Sequence, residues 1–316
     1  MAEVGRLTAT PAVRRTSARS KQTRALLIGL AFASPWIVGL CVFLVYPIAA
    51  SLYYSFTDYS VLESPRWIGL RNYADLFTQD DLFITSIVNT GVFAGMLIPI
   101  GTVFAIALAL LLNLKIRFMA LHRTIFYLPV LVPTVALALV WQWVLNPTYG
   151  VVNDLLALIG IQGPGWYANP TWAKPSYVIM SLWTVGNAVI IYLAGLQDVP
   201  KDLYDAASVD GANALRKLVN VTLPMLTPVI LFNVIIGLIG ALQVFSEAYI
   251  ITGGTGNPAN SAMFYVLLLY RNAFVYFKMG YASAMAWVLF IMVLIVTLLL
   301  VRSSRQWVYY SGEDRR

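Results

Sequence analysis

The chain alternates between long stretches without any charged residue and short segments that carry its Lys, Arg, Asp and Glu residues. The uncharged stretches cover residues 25–57, 82–114, 124–153, 175–197, 218–246 and 279–301. Each is longer than the roughly 20 residues that a helix needs to cross the hydrocarbon core of a membrane. After polar and turn-forming ends are removed, the pattern predicts six membrane-spanning helices, near residues 26–47, 86–112, 124–145, 176–196, 223–250 and 282–301.

Two further apolar segments are too short to cross a membrane. A seventh uncharged stretch, residues 248–270, begins with a Gly- and Pro-containing loop, and its apolar part runs only from Met263 to Tyr270. We predict a loop and a short interfacial helix there. Residues 151–159 lie between Gly and Pro residues and predict a short surface helix. The spans are predicted to be helices because a backbone exposed to lipid must form its own hydrogen bonds, and the alternating pattern of barrel strands is absent.

The basic residues are concentrated on one side of the predicted bundle. The N-terminal tail, the second and third internal loops and the C-terminal tail hold most of the 21 Lys and Arg residues. The positive-inside rule places this side, and therefore both termini, in the cytoplasm. We expect residues 1–24 to form a disordered basic tail, residues 25–302 the transmembrane domain and residues 303–316 a cytoplasmic tail.

The composition excludes several other classes of protein. Hydrophobic residues make up 59% of the chain and charged residues only 11%, against about 25% charged residues in soluble domains. The single cysteine, Cys41, and the single histidine, His122, exclude most zinc, haem and iron–sulfur sites, so no metal or cofactor is expected in this chain. No Gly-Lys pair occurs, which excludes a nucleotide-binding P-loop. A basic tail before a first span is typical of an orientation signal, so nucleic-acid binding is the weaker interpretation.

The third internal loop, residues 197–222, is longer than a connection between two spans requires. Leu203, Ala206 and Ala207 form a narrow face of a first helix, with small side chains at its centre. Gly211 fits the end of that helix, and a second amphipathic turn then leads into the fifth span. The pattern therefore predicts a helix–turn–helix along the membrane surface. Its alanine face suits either insertion into a cleft of a partner or simple capping of the bundle, and the spacing does not decide between them.

A family resemblance bears on this choice. The segment Tyr204-Asp-Ala-Ala-Ser-Val-Asp-Gly-Ala212, followed by Thr222-Leu-Pro224, closely resembles the Glu-Ala-Ala loop of permease subunits of binding-protein-dependent ABC importers. The similar subtype is the sugar permease group of the maltose, glycerol-3-phosphate and multiple-sugar systems. Further matching elements occur in the family's order at Tyr46-Pro47, Ser51–Asp58, Gly69–Tyr73, Asn89-Thr90, Arg123-Thr124, Leu128-Pro129, Tyr149-Gly150, Asn153, Ala194–Gln197 and Thr252–Gly254.

The resemblance implies an all-α, type I importer permease with six spans and a cytoplasmic coupling helix between spans four and five. In such importers this helix docks in a groove of the ATPase subunit. The resemblance therefore implies that the coupling residues of this chain are Tyr204, Asp205, Ala206, Ala207, Asp210 and Gly211. Asp205 departs from the family's usual glutamate and is one methylene shorter. The implied partners are a second permease subunit, two ATPase subunits that bind ATP and Mg, an extracytoplasmic solute-binding protein, a carbohydrate and the lipid of a bacterial inner membrane, without nucleic acid.

Polar residues within the predicted spans are candidates for a solute site, because burying them in a bilayer is costly. One stripe of the fifth span, within about 120° at about 100° per residue, holds Asn233, Gly237, Gly240, Gln243 and Glu247. In the fourth span, Trp183 and Asn187 lie one turn apart. Amides, an acid and an indole suit a sugar, through hydrogen bonds to its hydroxyls and an apolar platform for its ring. The alternative is that these residues only pack helices together.

Two other functional classes compete with a non-catalytic transport subunit. A self-sufficient secondary transporter or channel would need its own coupling carboxylates or a ring of pore-lining charges near the membrane midplane. Glu247 is the only charged residue within the predicted spans, which counts against this alternative. A membrane-embedded enzyme would need a catalytic constellation, and the sequence offers no histidine–carboxylate or metal-binding set.

Overall fold

Helices account for nearly all of the regular structure in the computed structural model, which describes residues 16–114 and 116–309. In chain order the α-helices are α1 Thr16–Leu40, α2 Tyr46–Ser55, α3 Arg71–Thr78, α4 Asp81–Leu112, α5 Met119–Tyr127, α6 Thr134–Val144, α7 Val151–Leu158, α8 Pro170–Trp183, α9 Gly186–Asp198, α10 Lys201–Val209, α11 Ala214–Lys217, α12 Leu223–Leu242, α13 Ser246–Thr252, α14 Tyr265–Tyr270 and α15 Met279–Trp307. Two short strands, β1 Thr57–Asp58 and β2 Arg66–Trp67, pair in antiparallel fashion. The chain divides into two units, one up to Tyr53 and one from Tyr54 onward.

The described part of the first unit, from Thr16 onward, is one long helix that is apolar from Ala25. A π-helical turn at Cys41–Val45 joins α1 to α2 immediately before Pro47, which has no N–H to donate to the helix. The expectation of disorder up to residue 24 is corrected, because α1 begins at Thr16. Ala, Arg, Lys and Gln are good helix formers, so the helix of the apolar span extends backward through them. Residues 1–15 of the expected tail lie outside the described residues.

Six spans are present if each of two bent helix pairs counts as one span. Four helices are long and apolar enough to cross a membrane unaided: residues 25–55, 81–112, 214–252 and 279–307. The pair α5–α6 bends by 101° and the pair α8–α9 by 53°. The first bend lies where Val132 is extended before Pro133, since a residue that precedes proline is disfavoured in helical conformation. The prediction of an all-α fold with six spans is thus confirmed, with each bent pair counted as one span, and these two spans are not straight.

The fifth span is also interrupted, although its sequence predicts an unbroken helix over residues 223–250. Helix α12 ends at Leu242, and α13 begins at Ser246 after three residues without helical structure. The Gln243 N–H still bonds to the Gly240 carbonyl, at 3.1 Å, but Phe245 leaves the helical conformation with φ −142°. Helix α13 packs instead against α6 and buries Ala248 completely. The break is therefore determined by tertiary packing, which the hydropathy of the sequence does not record.

The predicted interfacial helix at 263–270 is buried instead. Met263, Phe264 and Tyr265 are completely inaccessible to solvent. The amide of Asn89 in α4 donates to the carbonyls of Asn260 and Met263, at 2.8 and 3.1 Å, and the Tyr265 hydroxyl donates to the Met285 carbonyl in α15. Short apolar runs are ambiguous between surface and core, and apolar residues on all sides of α14 let it fill the centre of the bundle.

The chain after the last predicted span remains attached to the bundle. Helix α15 continues past residue 301 to Trp307, and Val308 is buried. The Tyr309 N–H donates to the Thr227 hydroxyl of α12, at 2.9 Å. The first part of the expected cytoplasmic tail is therefore folded onto the fifth span, while residues 310–316 lie outside the described residues.

Candidate translocation cavity and coupling surface

A cavity of about 450 Å³ lies between α4, the bent pair α8–α9 and the interrupted fifth span. It is lined by all five residues of the predicted polar stripe: Asn233, Gly237, Gly240, Gln243 and Glu247. Helix α12 carries the first three at helical spacing. The break then places Gln243 and Glu247 around the end of the cavity, where backbone that is not helical is tolerated because it faces an internal space.

The polar groups of the stripe remain largely available to a ligand. The Asn233 amide donates to the Val229 carbonyl one turn earlier, at 3.1 Å, which fixes the side chain against its own helix. Gln243 is exposed and lines the cavity, and Glu247 is half-buried and forms no ion pair with another residue that the structure describes. Phe93 and Phe245 supply apolar surface to the same space. The cavity thus combines hydrogen-bonding groups with aromatic walls.

The fourth-span candidates do not line this cavity. The Trp183 ring packs edge-on against Trp141, with centroids 6.1 Å apart and an interplanar angle of 71°, and Asn187 is exposed outside it. The reason is the break at Thr184–Val185, where the Thr184 N–H and hydroxyl both bond to the Ser181 carbonyl. A helix that ends and restarts changes the direction of its side chains, so one-turn spacing across the break no longer indicates a shared face.

Other polar residues of this region do face the cavity and were missed in the sequence. They are Thr102 in α4, Thr134 at the start of α6, Ser181 and Thr184 at the end of α8, Tyr192 in α9 and Ser246 in α13. The spacing of Ala188 and Tyr192 places both on one face of α9, a signal that the sequence did contain. Hydroxyl-bearing residues are common in apolar helices, however, so their type alone does not distinguish a lining position.

The third internal loop folds as predicted, into a helix, a turn and a second helix. Helix α10 ends at Val209, and Gly211 follows with φ +73°, a left-handed conformation that favours glycine. The Ala212 N–H bonds to the Ala207 carbonyl, at 2.9 Å, and closes the turn. Helix α11 then begins at an Asn213 cap and continues through a π-helical turn into α12.

Side-chain contacts hold α10 against the start of the fifth span. The Tyr204 and Thr222 hydroxyls are hydrogen-bonded at 3.0 Å, and Thr222 is buried. The Lys217 ammonium donates to the Ser208 hydroxyl, at 2.6 Å. A displacement of α10 would therefore move α12, whose other end lines the cavity.

The outer face of this loop is an exposed notch of about 370 Å³. Of the predicted coupling residues, Ala206, Ala207 and Asp210 line the notch, and Arg216 and Asn220 form its opposite wall. Tyr204 points inward, and Asp205 is exposed with no ion pair among the described residues. Val209 is 89% exposed and Leu215 is 66% exposed beside the notch. Exposed apolar residues that border a concave surface are typical of a protein-binding site.

Comparison with known proteins places the chain in a family. The family described as "Binding-protein-dependent transport system inner membrane component" matches residues 98–308. The chain belongs to this family. As an inner membrane component it is a multi-pass permease subunit of a binding-protein-dependent ABC importer, which confirms the resemblance seen in the sequence.

Several relatives of this permease are similar over nearly their whole length. A probable ABC transporter permease, YesP of Bacillus subtilis, is 42% identical over 91% of this chain and 94% of that protein. The lactose transport permease LacF of Rhizobium radiobacter is 35% identical, over 92% and 99%. A solved bacterial ABC transporter for import of the acidic polysaccharide alginate matches with a TM-score of 0.79 at 26% identity, over 91% of this chain and 98% of that one. The predicted type I permease fold is thereby confirmed.

The connections that are predicted to be external pack onto neighbouring helices through buried polar contacts. The Asn72 amide donates to the Ser55 and Thr57 carbonyls, both at 2.9 Å, beside the β1–β2 pair. The Tyr281 hydroxyl at the start of α15 donates to the Asp80 carboxylate, at 2.7 Å. Asp58, Asp75, Asp80 and Lys278 line a depression of about 390 Å³ there. This face is therefore an ordered surface rather than a set of loose loops.

Proposed function

We propose that this permease subunit forms half of the translocation pathway for a sugar or a related carbohydrate. The observation that carries the proposal is the cavity of about 450 Å³, in which Asn233, Gln243 and Glu247 meet the aromatic walls. Amides and carboxylates hydrogen-bond to sugar hydroxyls, while Phe93 and Phe245 offer apolar surface to the C–H faces of the ring. Relatives named for lactose, trehalose/maltose and arabinooligosaccharide transport support this substrate class.

The energy for transport comes, in this proposal, from separate ATPase subunits that dock at α10. The chain then performs no catalysis and holds no cofactor, and ATP and Mg bind to two ATPase partners. The notch lined by Ala206, Ala207 and Asp210 accommodates a side chain or a helix of the ATPase, because its floor is made of small residues. The Tyr204–Thr222 contact transmits the movement of α10 to α12 and so to the cavity wall.

The remaining partners follow from the same architecture. A second, different permease chain completes the pathway, and a solute-binding protein docks on the external face around Asp58 and Lys278. A solved bacterial alginate transporter in complex with its pentasaccharide-bound periplasmic protein, similar with a TM-score of 0.78 at 27% identity, supports a partner of this kind. Both termini face the cytoplasm, as the distribution of basic residues favours.

Uptake of labelled sugars by cells that carry the complete transporter tests the carbohydrate proposal. Asn233→Ala and Gln243→Ala each remove a hydrogen-bonding group from the cavity, worth about 0.5–1.5 kcal/mol, and should lower the uptake of the transported sugar about 2- to 10-fold. Trp183→Ala is the matched control, because its ring packs on Trp141 outside the cavity lining. Unchanged uptake in both cavity variants, or an equal decrease in the control, would contradict a solute site and would indicate that the residues of the polar stripe only pack helices together.

Dependence on ATP separates the proposal from a self-sufficient secondary transporter. Uptake should stop when the ATPase partner is catalytically inactivated, while a collapse of the ion gradients at constant ATP should leave uptake intact. Uptake that follows the gradient would favour the alternative, with Glu247 as the coupling carboxylate.

A further inference from the structure

Another cavity, whose lining residues do not line the translocation cavity, opens between α5 and α9 near the end of α4. It encloses about 330 Å³, and its walls are mainly apolar: Phe126, Tyr127, Val189, Ile190 and Leu193. We call it the α5–α9 groove. Arg123 is the only charged residue among those that line it.

Arg123 is half-buried at the mouth of the groove. Its Nε and Nη2 atoms donate to the Leu112 carbonyl at the end of α4, at 3.2 and 3.0 Å. A guanidinium has five N–H donors, so three remain for a ligand. Among the residues that the structure describes, ion pairs form only at Glu63–Arg66 and Arg71–Asp75, so no carboxylate neutralises Arg123. A half-buried cation without a counter-ion, beside an apolar cleft, is complementary to an anion that carries an apolar chain.

The surroundings of the groove favour a membrane surface. The connection before α5 and the first turn of α5 expose Ile116, Phe118 and Leu121, next to the basic residue Arg117 and to His122. The Arg117 guanidinium lies 4.9 Å from the centre of the Phe118 ring. Interleaved basic and exposed apolar residues are typical of a segment that lies in the headgroup region of a bilayer. Basic pockets between spanning helices on the cytoplasmic side are suited to phospholipid headgroups.

We propose that the α5–α9 groove binds an anionic phospholipid of the cytoplasmic leaflet, with its phosphate on Arg123 and one acyl chain along Val189, Ile190 and Leu193. The proposal rests on the cytoplasmic orientation proposed above for this end of the bundle. Gly186 borders the groove where α9 crosses α5, and an added Cβ there would lie 2.7 Å from Val130 and 3.1 Å from the Phe126 carbonyl. The bound chain therefore lies beside a tight helix crossing, along residues of α9 that do not line the translocation cavity.

Native mass spectrometry of the assembled transporter tests the site. The complex is purified from nanodiscs that contain equal amounts of phosphatidylglycerol and phosphatidylcholine, and the retained lipids are counted. The wild type should retain phosphatidylglycerol preferentially. Arg123→Gln should reduce that retention about fivefold, the effect of one basic residue at an anionic surface. Arg302→Gln, which removes an exposed basic residue outside both the groove and the coupling notch, should leave retention unchanged.

A second pair of variants keeps the test valid if Arg123→Gln impairs folding by uncapping α4. Ile190→Trp fills the groove from an exposed position and should abolish retention of the bound lipid, while Ile191→Trp, exposed but outside the lining, should not. Inorganic phosphate added at millimolar concentration should not displace the lipid, since a free anion lacks the acyl chain.

Three results would overturn the proposal. Equal retention of the two lipids would show that the Arg123 charge does not select the lipid. Displacement by phosphate alone would show that the apolar wall does not contribute to binding. The absence of retained lipid from the wild-type complex, together with retention by the isolated chain, would show that a partner subunit covers the groove. Because lipid counting needs no solute, a failure of the uptake experiments with a positive lipid result would reject only the carbohydrate proposal.

Discussion

Substitution of Gly211 tests the coupling proposal, because it acts only through the backbone conformation of the turn. Its φ is +73°, and no atom lies within 4 Å of the position that an added Cβ would occupy. Gly211→Val therefore introduces no clash, and the cost comes from placing a branched residue in the left-handed region, about 1–2 kcal/mol. The substitution should therefore destabilise, by this free energy, the turn that the hydrogen bond from the Ala212 N–H to the Ala207 carbonyl closes.

The expected loss is measurable as binding of the ATPase. A cost of about 1–2 kcal/mol in the docked conformation lowers the affinity about 5- to 30-fold. The assay is titration of the purified permease with its ATPase partner, together with thermal unfolding of the permease to show that the bundle is intact. Gly211→Asn is the matched control, since asparagine tolerates the left-handed conformation better than other non-glycine residues. Equal affinities for the Val and Asn variants would refute the reasoning, because the turn would then not determine docking.

Three further predictions concern the loop, the core and the topology. Ala207→Trp should weaken ATPase co-purification by one to two orders of magnitude, through overpacking of about 1–3 kcal/mol in the notch. Asp202→Trp, at an exposed position of α10 outside the notch lining, should have a smaller effect, and equal effects would contradict the notch as the contact. Asn89→Leu removes the side-chain donor to the Met263 and Asn260 carbonyls, of which the Asn260 carbonyl still accepts from the Met263 N–H, and should destabilise the protein by about 1–3 kcal/mol in all; a lower unfolding temperature would show this, and an unchanged temperature would exclude the buried contact. Reporters fused at residues 65 and 165 should be external and those at 20 and 312 cytoplasmic, and an external C-terminal reporter would reject the proposed orientation.

The polar stripe shows how far periodicity can predict a site. Asn233, Gly237 and Gly240 lie on one helix, and their spacing was sufficient to place them on one face. The same reasoning put Trp183 and Asn187 one turn apart as candidates for the same solute site, but the fourth span is broken between them and neither lines the cavity. A helix break is stabilised by neighbours that are remote in sequence, so spacing is informative only within an unbroken helix.

The coupling loop was predictable for a local reason. A proline before the helix, small residues at its centre and Gly211 after it act within about one turn of chain, and the structure contains the resulting helix and left-handed turn. The notch required more than local signals. Its second wall, with Arg216 and Asn220, depends on how α11 folds back toward α10.

Hydropathy, charge distribution and capping residues determined the class of this protein, its spans and its coupling helix, because each acts over one helix or less. Tertiary structure alone decided that α14 is buried, through Asn89 and Tyr265, and that the third, fourth and fifth spans are broken. It also decided which polar residues share the translocation cavity. The physical reason is that an apolar helix satisfies its backbone equally well against lipid or against protein, so its own sequence does not record which neighbour covers it.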